Sequence, residues 1–141
     1  MNTTNLAALA QASAPIASGQ DRKKILLCDD DDILVDILES VLETAGYKVV
    51  VAADGLECVE RFQAEKPDMM IIDLDMPRRG GFAVIDQLRR KGVMNGCALV
   101  IMSGRENKKD RDRADASGVV DYMVKPFNVT ELIKQVNSAI V

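Results

Sequence analysis

Acidic, hydroxyl and lysine side chains directly follow hydrophobic stretches of this chain, and they define its candidate chemistry. Four such stretches are followed in turn by Asp29 and Asp30, Asp73, Ser103, and Lys125. Oxygen-only ligands favour a hard cation, and Mg²⁺ suits them because it accepts one or two carboxylates together with waters and phosphate oxygens. A lysine and a hydroxyl can bind phosphoryl oxygens, and a carboxylate can act as a nucleophile. These residue types are the parts of a phosphoryl-transfer site.

Histidine is absent from all 141 residues. Its absence excludes Ser-His-Asp and Cys-His nucleophile pairs, histidine-ligated zinc and an imidazole general base. The three cysteines, Cys28, Cys58 and Cys97, are widely spaced and form no C-x-x-C pair. That pattern predicts reduced, mostly buried thiols and a cytoplasmic location.

The composition is that of an ordinary globular protein, with 48% hydrophobic residues, 28% charged residues and a net charge of −4. No apolar run approaches the ~20 residues that a membrane span needs. The first basic residue is Arg22, so no basic segment precedes an apolar core and a secretory signal is not expected. The acidic balance gives no electrostatic reason to expect binding to nucleic acid.

Short hydrophobic runs alternate with amphipathic stretches along most of the chain, which predicts five strands and five helices. The predicted strands cover residues 25–28, 49–51, 69–72, 99–102 and 122–124. This alternation predicts the α/β class, with a doubly wound, five-stranded parallel sheet and helices on both faces. In such a sheet the carboxyl ends of the strands share one edge, where ligands bind. The candidate residues should therefore meet at that edge.

Two segments depart from this pattern. Residues 1–20 carry no charge, and we expect residues 1–22 to form a flexible tail ahead of a domain at 23–141. Residues 105–117 offer only Ala114 and Ala116 as apolar side chains. A helix there has a thin core-facing stripe, so we expect it to be short, frayed or mobile.

The acidic run at residues 29–32 also has a purely structural interpretation. Aspartates at the start of a helix cap its free N–H groups, and we expect this role for Asp31 and Asp32. For Asp29 and Asp30 taken alone, capping and ligand binding are equally good interpretations. Their meeting with Asp73 and Lys125 at one sheet edge favours a functional site.

Four motifs together resemble the receiver domain of two-component response regulators of the single-domain chemotaxis type. They are LCDDD at 27–31, DLDMP at 73–77 followed by Gly81, MSG at 102–104 and KPF at 125–127. The resemblance spans about Lys23 to Val141. It implies a flavodoxin-like strand order of 2-1-3-4-5.

The resemblance implies that Asp73 is the phosphoacceptor. Its donor would be a phosphohistidine on a histidine kinase or a histidine phosphotransfer protein. Asp30 and Asp73 would bind Mg²⁺ directly, Asp29 would bind it through water, and Asp75 would offer its backbone carbonyl. We then expect that the chain is not an enzyme, because it would catalyse only its own phosphorylation and dephosphorylation.

Further roles follow from the same resemblance. Ser103 would move to a phosphoryl oxygen, Tyr122 would change its burial with that movement, and Lys125 would pair with the acyl phosphate. The Lys125–Pro126 bond would be cis. The surface of the fourth helix, fifth strand and fifth helix would switch between two states.

The sequence departs from the family pattern at Gly80, where an acidic residue is common, and we expect a looser loop there. Asp75 and Arg105 occupy the two positions that tune dephosphorylation in this family. We hypothesise that they pair across the site and partly screen the acyl phosphate from water. The residues after Lys125 complete only one helix and leave no room for a DNA-binding module, so we expect a stand-alone receiver.

Two other classes share parts of this pattern. A phosphohydrolase of the haloacid dehalogenase type would use Asp73 and Asp75 as its D-x-D motif, but no segment is available to close over a substrate. A flavodoxin-like cofactor binder shares the fold, but its phosphate-binding loop needs glycines or hydroxyls where this chain has aspartates.

Overall fold

The computed structural model describes residues 22–140, in which five strands and five helices alternate. The strands are β1 (Lys24–Cys28), β2 (Lys48–Ala52), β3 (Met69–Asp73), β4 (Ala98–Ser103) and β5 (Asp121–Val124). The helices are α1 (Asp32–Thr44), α2 (Gly55–Glu65), α3 (Gly81–Arg90), α4 (Lys108–Ala116) and α5 (Val129–Ala139). The tail predicted at residues 1–22 lies outside the described residues except for Arg22, so its flexibility stays a prediction.

The strands form one parallel sheet in the order β2-β1-β3-β4-β5, as predicted. The chain moves from β1 outward to β2, then crosses back to place β3 on the other side of β1. This reversal opens a crevice at the carboxyl ends of β1 and β3. The register pairs Cys28 of β1 with Ile72 of β3, so the residues that follow each of them emerge side by side.

Helices cover both faces of the sheet, which confirms the predicted layers. One buried cluster packs α2, α3 and the single buried residue of α4 against the sheet. The other packs α1 and α5 against the opposite face. Every residue of β3 is buried, and so is every residue of β1 after Lys24. Burial on both faces explains why these strands are continuous apolar runs rather than alternating ones.

Helix α1 is capped at both of its ends. The Asp31 side chain accepts hydrogen bonds from the N–H groups of Ile33 and Leu34, which confirms Asp31 as the cap. At the other end, Gly46 has a φ of 102°, a left-handed conformation that favours glycine. Its N–H donates to the carbonyl of Glu43 and closes the helix.

Polar contacts hold helix α4 in place. The helix has nine residues, of which only Ala114 is buried, so the predicted thin apolar stripe is confirmed. The Arg113 guanidinium lies over the ring of Phe82 at 4.4 Å from its centroid and donates to Asp86 at 2.8 Å. These contacts attach α4 to α3. The expected mobility of α4 stays a prediction.

Among residues 22–140, none of the helices is both long enough and apolar enough to cross a bilayer.

The three cysteines provide a test of this packing. All three are free, and Cys28 and Cys58 are completely buried. Burial raises the pKa of the Cys97 thiol to about 12, and the charge of Asp68 adds to that effect. Cys97 is the only partly exposed thiol of the three, so it alone should react in the folded protein. At pH 8 its alkylation should be on the order of 10³-fold slower than that of a free cysteine, rising about tenfold per pH unit, because the thiolate is the nucleophile.

Iodoacetamide labelling followed by intact mass measurement checks this prediction. In denaturant all three thiols should react at ordinary rates. Rapid labelling of the native protein at Cys28 or Cys58 would contradict the packing described above.

Candidate functional site

Four strands deliver the predicted site residues to the same edge of the sheet. The end of β1 leads into Asp29 and Asp30, β3 ends at Asp73, β4 ends at Ser103, and β5 leads into Lys125. The remaining strand, β2, is followed by an alanine and contributes no reactive group. We call the space lined by Asp29, Asp30, Asp73 and Lys125 the acidic cleft.

Lys125 joins the two buried aspartates of the acidic cleft. Its Nζ donates to Asp29 Oδ2 at 2.7 Å and lies 3.3 Å from Asp73 Oδ2. Asp29 and Asp73 are only 1% and 4% exposed, so these ion pairs are largely shielded from water. Shielded pairs interact more strongly than surface pairs because the local dielectric is lower. The lysine therefore neutralises part of the charge that the fold buries here.

Backbone N–H groups hold the other oxygens of the same two aspartates. Asp29 Oδ1 accepts a hydrogen bond from the N–H of Asp31 at 2.9 Å. Asp73 Oδ1 accepts one from the N–H of Asp75 at 3.2 Å. Each carboxylate thus has one oxygen bound by the turn after its strand and the other facing Lys125. Asp29 therefore serves the cleft, while Asp31 caps α1.

The environment shifts the pKa values of both charged partners. Burial raises the pKa of the Asp73 carboxyl, and the charge of Asp29 adds to the effect, while the Asp75 N–H and Lys125 oppose it only in part. Burial acts to lower the pKa of Lys125, but the hydrogen bond to Asp29 and the charges of both aspartates prevail and raise it. Lys125 is therefore a permanent positive charge at neutral pH.

The acidic residues of the cleft fit a hard divalent cation. Asp29, Asp30 and Asp73 each offer a carboxylate oxygen, and these oxygens lie within 4.8 Å of one another. Three carboxylates and one ammonium group leave two negative charges, which a divalent ion would balance. Carboxylate oxygens are the ligands that Mg²⁺ prefers in proteins. The donor set present here thus suits Mg²⁺ better than a metal that needs nitrogen or sulfur.

Ser103 and Tyr122 both contact the loop between β4 and α4. The buried Ser103 Oγ accepts a hydrogen bond from the N–H of Arg105 at 3.0 Å. The Tyr122 hydroxyl donates to the carbonyl oxygen of Arg105 at 3.0 Å. The Arg111 guanidinium covers the Tyr122 ring at 4.9 Å from its centroid. The two residues predicted to switch are therefore connected through the backbone of one loop residue.

The predicted pair of Asp75 and Arg105 is present in the structure, with Arg105 Nη2 3.3 Å from Asp75 Oδ1. Both side chains are about half exposed, and we call the opening of the acidic cleft beside this pair the mouth of the cleft. The same nitrogen also lies 3.4 Å from Asp110 Oδ2. Sequence reasoning missed Asp110. Asp110 lies in the first turn of α4, where a negative charge is favourable, but only the fold places it beside Arg105.

Two glycines allow the loop after β3 to approach the sheet and helix α2. A Cβ atom at Gly81 would lie 2.6 Å from the carbonyl oxygen of Asp73, and one at Gly55 would lie 2.2 Å from that of Arg79. Both distances are too short for any side chain, so glycine is required at each position. Gly80 precedes α3 and contributes no side-chain cap. The looser loop expected from Gly80 stays a prediction.

The Lys125–Pro126 peptide bond is cis, as predicted.

Comparison with known proteins identifies the class to which this fold and site belong. The family model for the response regulator receiver domain matches residues 25–137. The chain therefore belongs to the response regulator receiver family, a family of two-component signal transduction. This membership favours the receiver over the phosphohydrolase and the cofactor binder considered above.

Individual relatives agree with this assignment. The chain is 34% identical over 116 residues to the alkaline phosphatase synthesis transcriptional regulatory protein PhoP of Bacillus subtilis, a match that covers 82% of this chain and 48% of PhoP. It is 36% identical over 118 residues to a probable transcriptional regulator of Cyanophora paradoxa, covering 84% of this chain and 48% of that protein. The chain thus spans about half the length of these curated relatives.

Solved structures show the same architecture. The receiver domain of the Francisella response regulator 1452 superimposes with a TM-score of 0.77 at 29% identity, covering 84% of this chain and 96% of that one. The chemotaxis response regulator CheY4 of Vibrio cholerae gives a TM-score of 0.75 at 26% identity, covering 85% and 99% respectively.

The repulsion within the acidic cleft provides a test of the geometry. Without added metal at pH 7, Asp73→Asn should raise the free energy of unfolding by about 1 kcal/mol, because it removes one buried carboxylate from beside another. Since the pKa of Asp73 is raised in the folded state, ionisation of this carboxyl destabilises the fold, and the gain should grow as pH rises through that range.

Urea unfolding of wild type and variant measures this difference. Asp75→Asn is the matched control, because it removes the same charge from a half-exposed position, and its effect should stay within about 0.5 kcal/mol. A denaturation midpoint for Asp73→Asn below that of wild type would contradict the electrostatic account.

Proposed function

We propose that this chain accepts a phosphoryl group on Asp73 from a phosphohistidine of a partner protein and then acts as a signalling switch or a phosphorelay shuttle. The observation that carries the proposal is the buried Asp73 carboxylate. It lies 3.3 Å from Lys125 Nζ and within the cluster of three aspartates. A buried nucleophile beside a fixed positive charge and a cation-binding cluster is the arrangement that phosphoryl transfer requires.

In the proposed reaction, an oxygen of Asp73 attacks the phosphorus atom while the bond between phosphorus and the donor imidazole nitrogen breaks. When the phosphohistidine ring is protonated at its other nitrogen, the electron pair of the broken bond stays on the leaving nitrogen, and the products are an aspartyl phosphate and a neutral histidine on the donor. Lys125 is already beside Asp73 and can pair with a phosphoryl oxygen without a large movement. Asp29, Asp30 and Asp73, together with the Asp75 backbone carbonyl, would hold Mg²⁺, and the ion would supply charge neutralisation for the phosphoryl oxygens.

The proposed switch begins at Ser103. If its hydroxyl turns to the phosphoryl group, it gives up the hydrogen bond from the Arg105 N–H. The Tyr122 hydroxyl is bonded to the carbonyl of the same residue, so a shift of this loop reaches Tyr122 and the surface of α4, β5 and α5. The hydrogen bonds through Arg105 thus support a two-state coupling between the phosphorylation site and that surface.

The proposed donor is a histidine kinase or a histidine phosphotransfer protein. No histidine occurs in these 141 residues, so the donor imidazole lies outside them. Beside the acidic cleft, the first turns of α1 expose Ile33 and Ile37, at 75% and 44%. A depression of about 320 Å³ at the start of the same helix is lined by Asp31, Leu34, Lys125, Pro126, Phe127 and Val129. Exposed apolar side chains at a cleft are typical of a protein-docking surface.

Three narrower statements belong to the proposal. We infer that the chain catalyses only its own phosphorylation and dephosphorylation, that it acts in the cytoplasm, and that it binds neither nucleic acid nor membrane. The stand-alone arrangement expected from the sequence stays a prediction, since the relatives named as transcriptional regulators are about twice as long as the matched region.

Phosphorylation by a small-molecule donor tests the proposal directly. Incubation with phosphoramidate and Mg²⁺ should add one phosphoryl group, measured by intact mass, and Asp73→Asn should abolish it because the nucleophile is lost. Asp75→Asn is the matched control and should still be labelled. Labelling of wild type should require Mg²⁺ and should be lost when the ion is removed. Labelling of Asp73→Asn at the wild-type stoichiometry would refute the assignment.

The mouth of the cleft predicts how long the product survives. Arg105→Ala should shorten the aspartyl-phosphate lifetime by about two- to fivefold, the effect of losing up to ~1 kcal/mol of screening by an exposed pair. Release of phosphate after donor removal gives the rate. Lys109→Ala, which removes the same charge from an exposed site on α4, should leave the lifetime unchanged. An Arg105→Ala lifetime equal to that of wild type would exclude the screening role.

A further inference from the structure

We propose that Asp110 is a positioning residue that holds Arg105 over the mouth of the cleft, so that the first turn of α4 controls the lifetime of the aspartyl phosphate. The inference rests on the proposed function. It assigns to α4 an effect on dephosphorylation that is exerted through Arg105, in addition to any role of that helix in binding a partner.

The first observation is that two carboxylates share one arginine nitrogen. Arg105 Nη2 lies 3.3 Å from Asp75 Oδ1 and 3.4 Å from Asp110 Oδ2. The Asp110 side chain is only 17% exposed, whereas that of Asp75 is 53% exposed. Because solvent screens an exposed pair more strongly, Asp110 is the better-shielded partner of the two.

The second observation is that the start of α4 fixes the Asp110 carboxylate. The Asp110 N–H donates to Asn107 Oδ1 at 2.9 Å, and Asn107 Nδ2 donates back to Asp110 Oδ2 at 3.1 Å. This reciprocal pair caps the helix and leaves the carboxylate little freedom. Arg105 therefore meets a partner whose position is set by the helix rather than by a flexible surface side chain.

The third observation concerns the backbone of Arg105. Its carbonyl accepts a hydrogen bond from the Tyr122 hydroxyl, a contact that does not involve Ser103. The long Arg105 side chain is the part of the residue that can move away from Asp75, and holding such a side chain in one place costs rotamer entropy. Asp110 offsets that cost. Without it, the guanidinium keeps only the half-exposed Asp75 and spends more time away from the cleft, where water then reaches the acyl phosphate.

It follows that a protein that engages the first turn of α4 and takes Asp110 away from Arg105 would hasten dephosphorylation. The coupling needs no contact between that protein and the acidic cleft, because Arg105 contacts both Asp110 of α4 and Asp75 in the turn after Asp73.

The test compares the aspartyl-phosphate lifetimes of single variants after labelling with phosphoramidate. Asp110→Asn should shorten the lifetime by about two- to threefold, in the same direction as Arg105→Ala. Asp112→Asn is the matched control. It removes the same charge from the same helix, but Asp112 pairs with Lys108 and does not contact Arg105. Its lifetime should equal that of wild type.

A double-mutant cycle separates positioning from a general weakening of α4. In the Arg105→Ala background, Asp110→Asn should change nothing further, because the residue that it positions is gone. Equal shortening in both backgrounds, equal shortening by Asp112→Asn, or no shortening by Asp110→Asn would each overturn the proposal. If wild type forms no aspartyl phosphate at all, the proposed function fails instead, so the two failures are distinguishable.

Discussion

The ion pairs of Lys125 with Asp29 and Asp73 are the interaction on which the rest of the site depends. Burying two carboxylates side by side is unfavourable unless a positive charge lies between them. Lys125 reaches them from β5, whereas the aspartates come from β1 and β3, so the contact exists only when the strands are correctly ordered. The same charges that make the cleft costly to fold make it able to bind a cation and a phosphoryl group.

The sheet satisfies this requirement through its winding. Because β1 and β3 are neighbours and the chain leaves them toward opposite faces of the sheet, the helices within residues 22–140 leave the crevice above them open. Gly81 and Gly55 allow the loop after β3 to pack closely against the end of β3 and the start of α2, since any Cβ there would collide with backbone. The rigid strands thus determine where Asp73 stands, and the loops determine what surrounds it.

Helix α4 contrasts with this rigid framework. Its attachments within the described chain are mainly charged and aromatic contacts made by Arg105, Arg111 and Arg113, with Ala114 as its one buried residue. Partly exposed contacts of this kind contribute little free energy each, so we expect the position of α4 to be readily altered. A helix held in this way is well suited to couple the loop after Ser103 to the outer surface.

The sequence by itself determined the five strands, the alternation with helices, the cap at Asp31 and the set of residues at the sheet edge. These features depend on local periodicity or on residue type after a strand, which the linear pattern contains. Sequence reasoning also anticipated the pairing of Asp75 with Arg105, through family resemblance. It missed Asp110 beside Arg105, Arg113 over Phe82 and the contact of Gly55 with Arg79. Only the tertiary structure decided these contacts, because they join elements through side-chain directions and loop paths that no local pattern specifies.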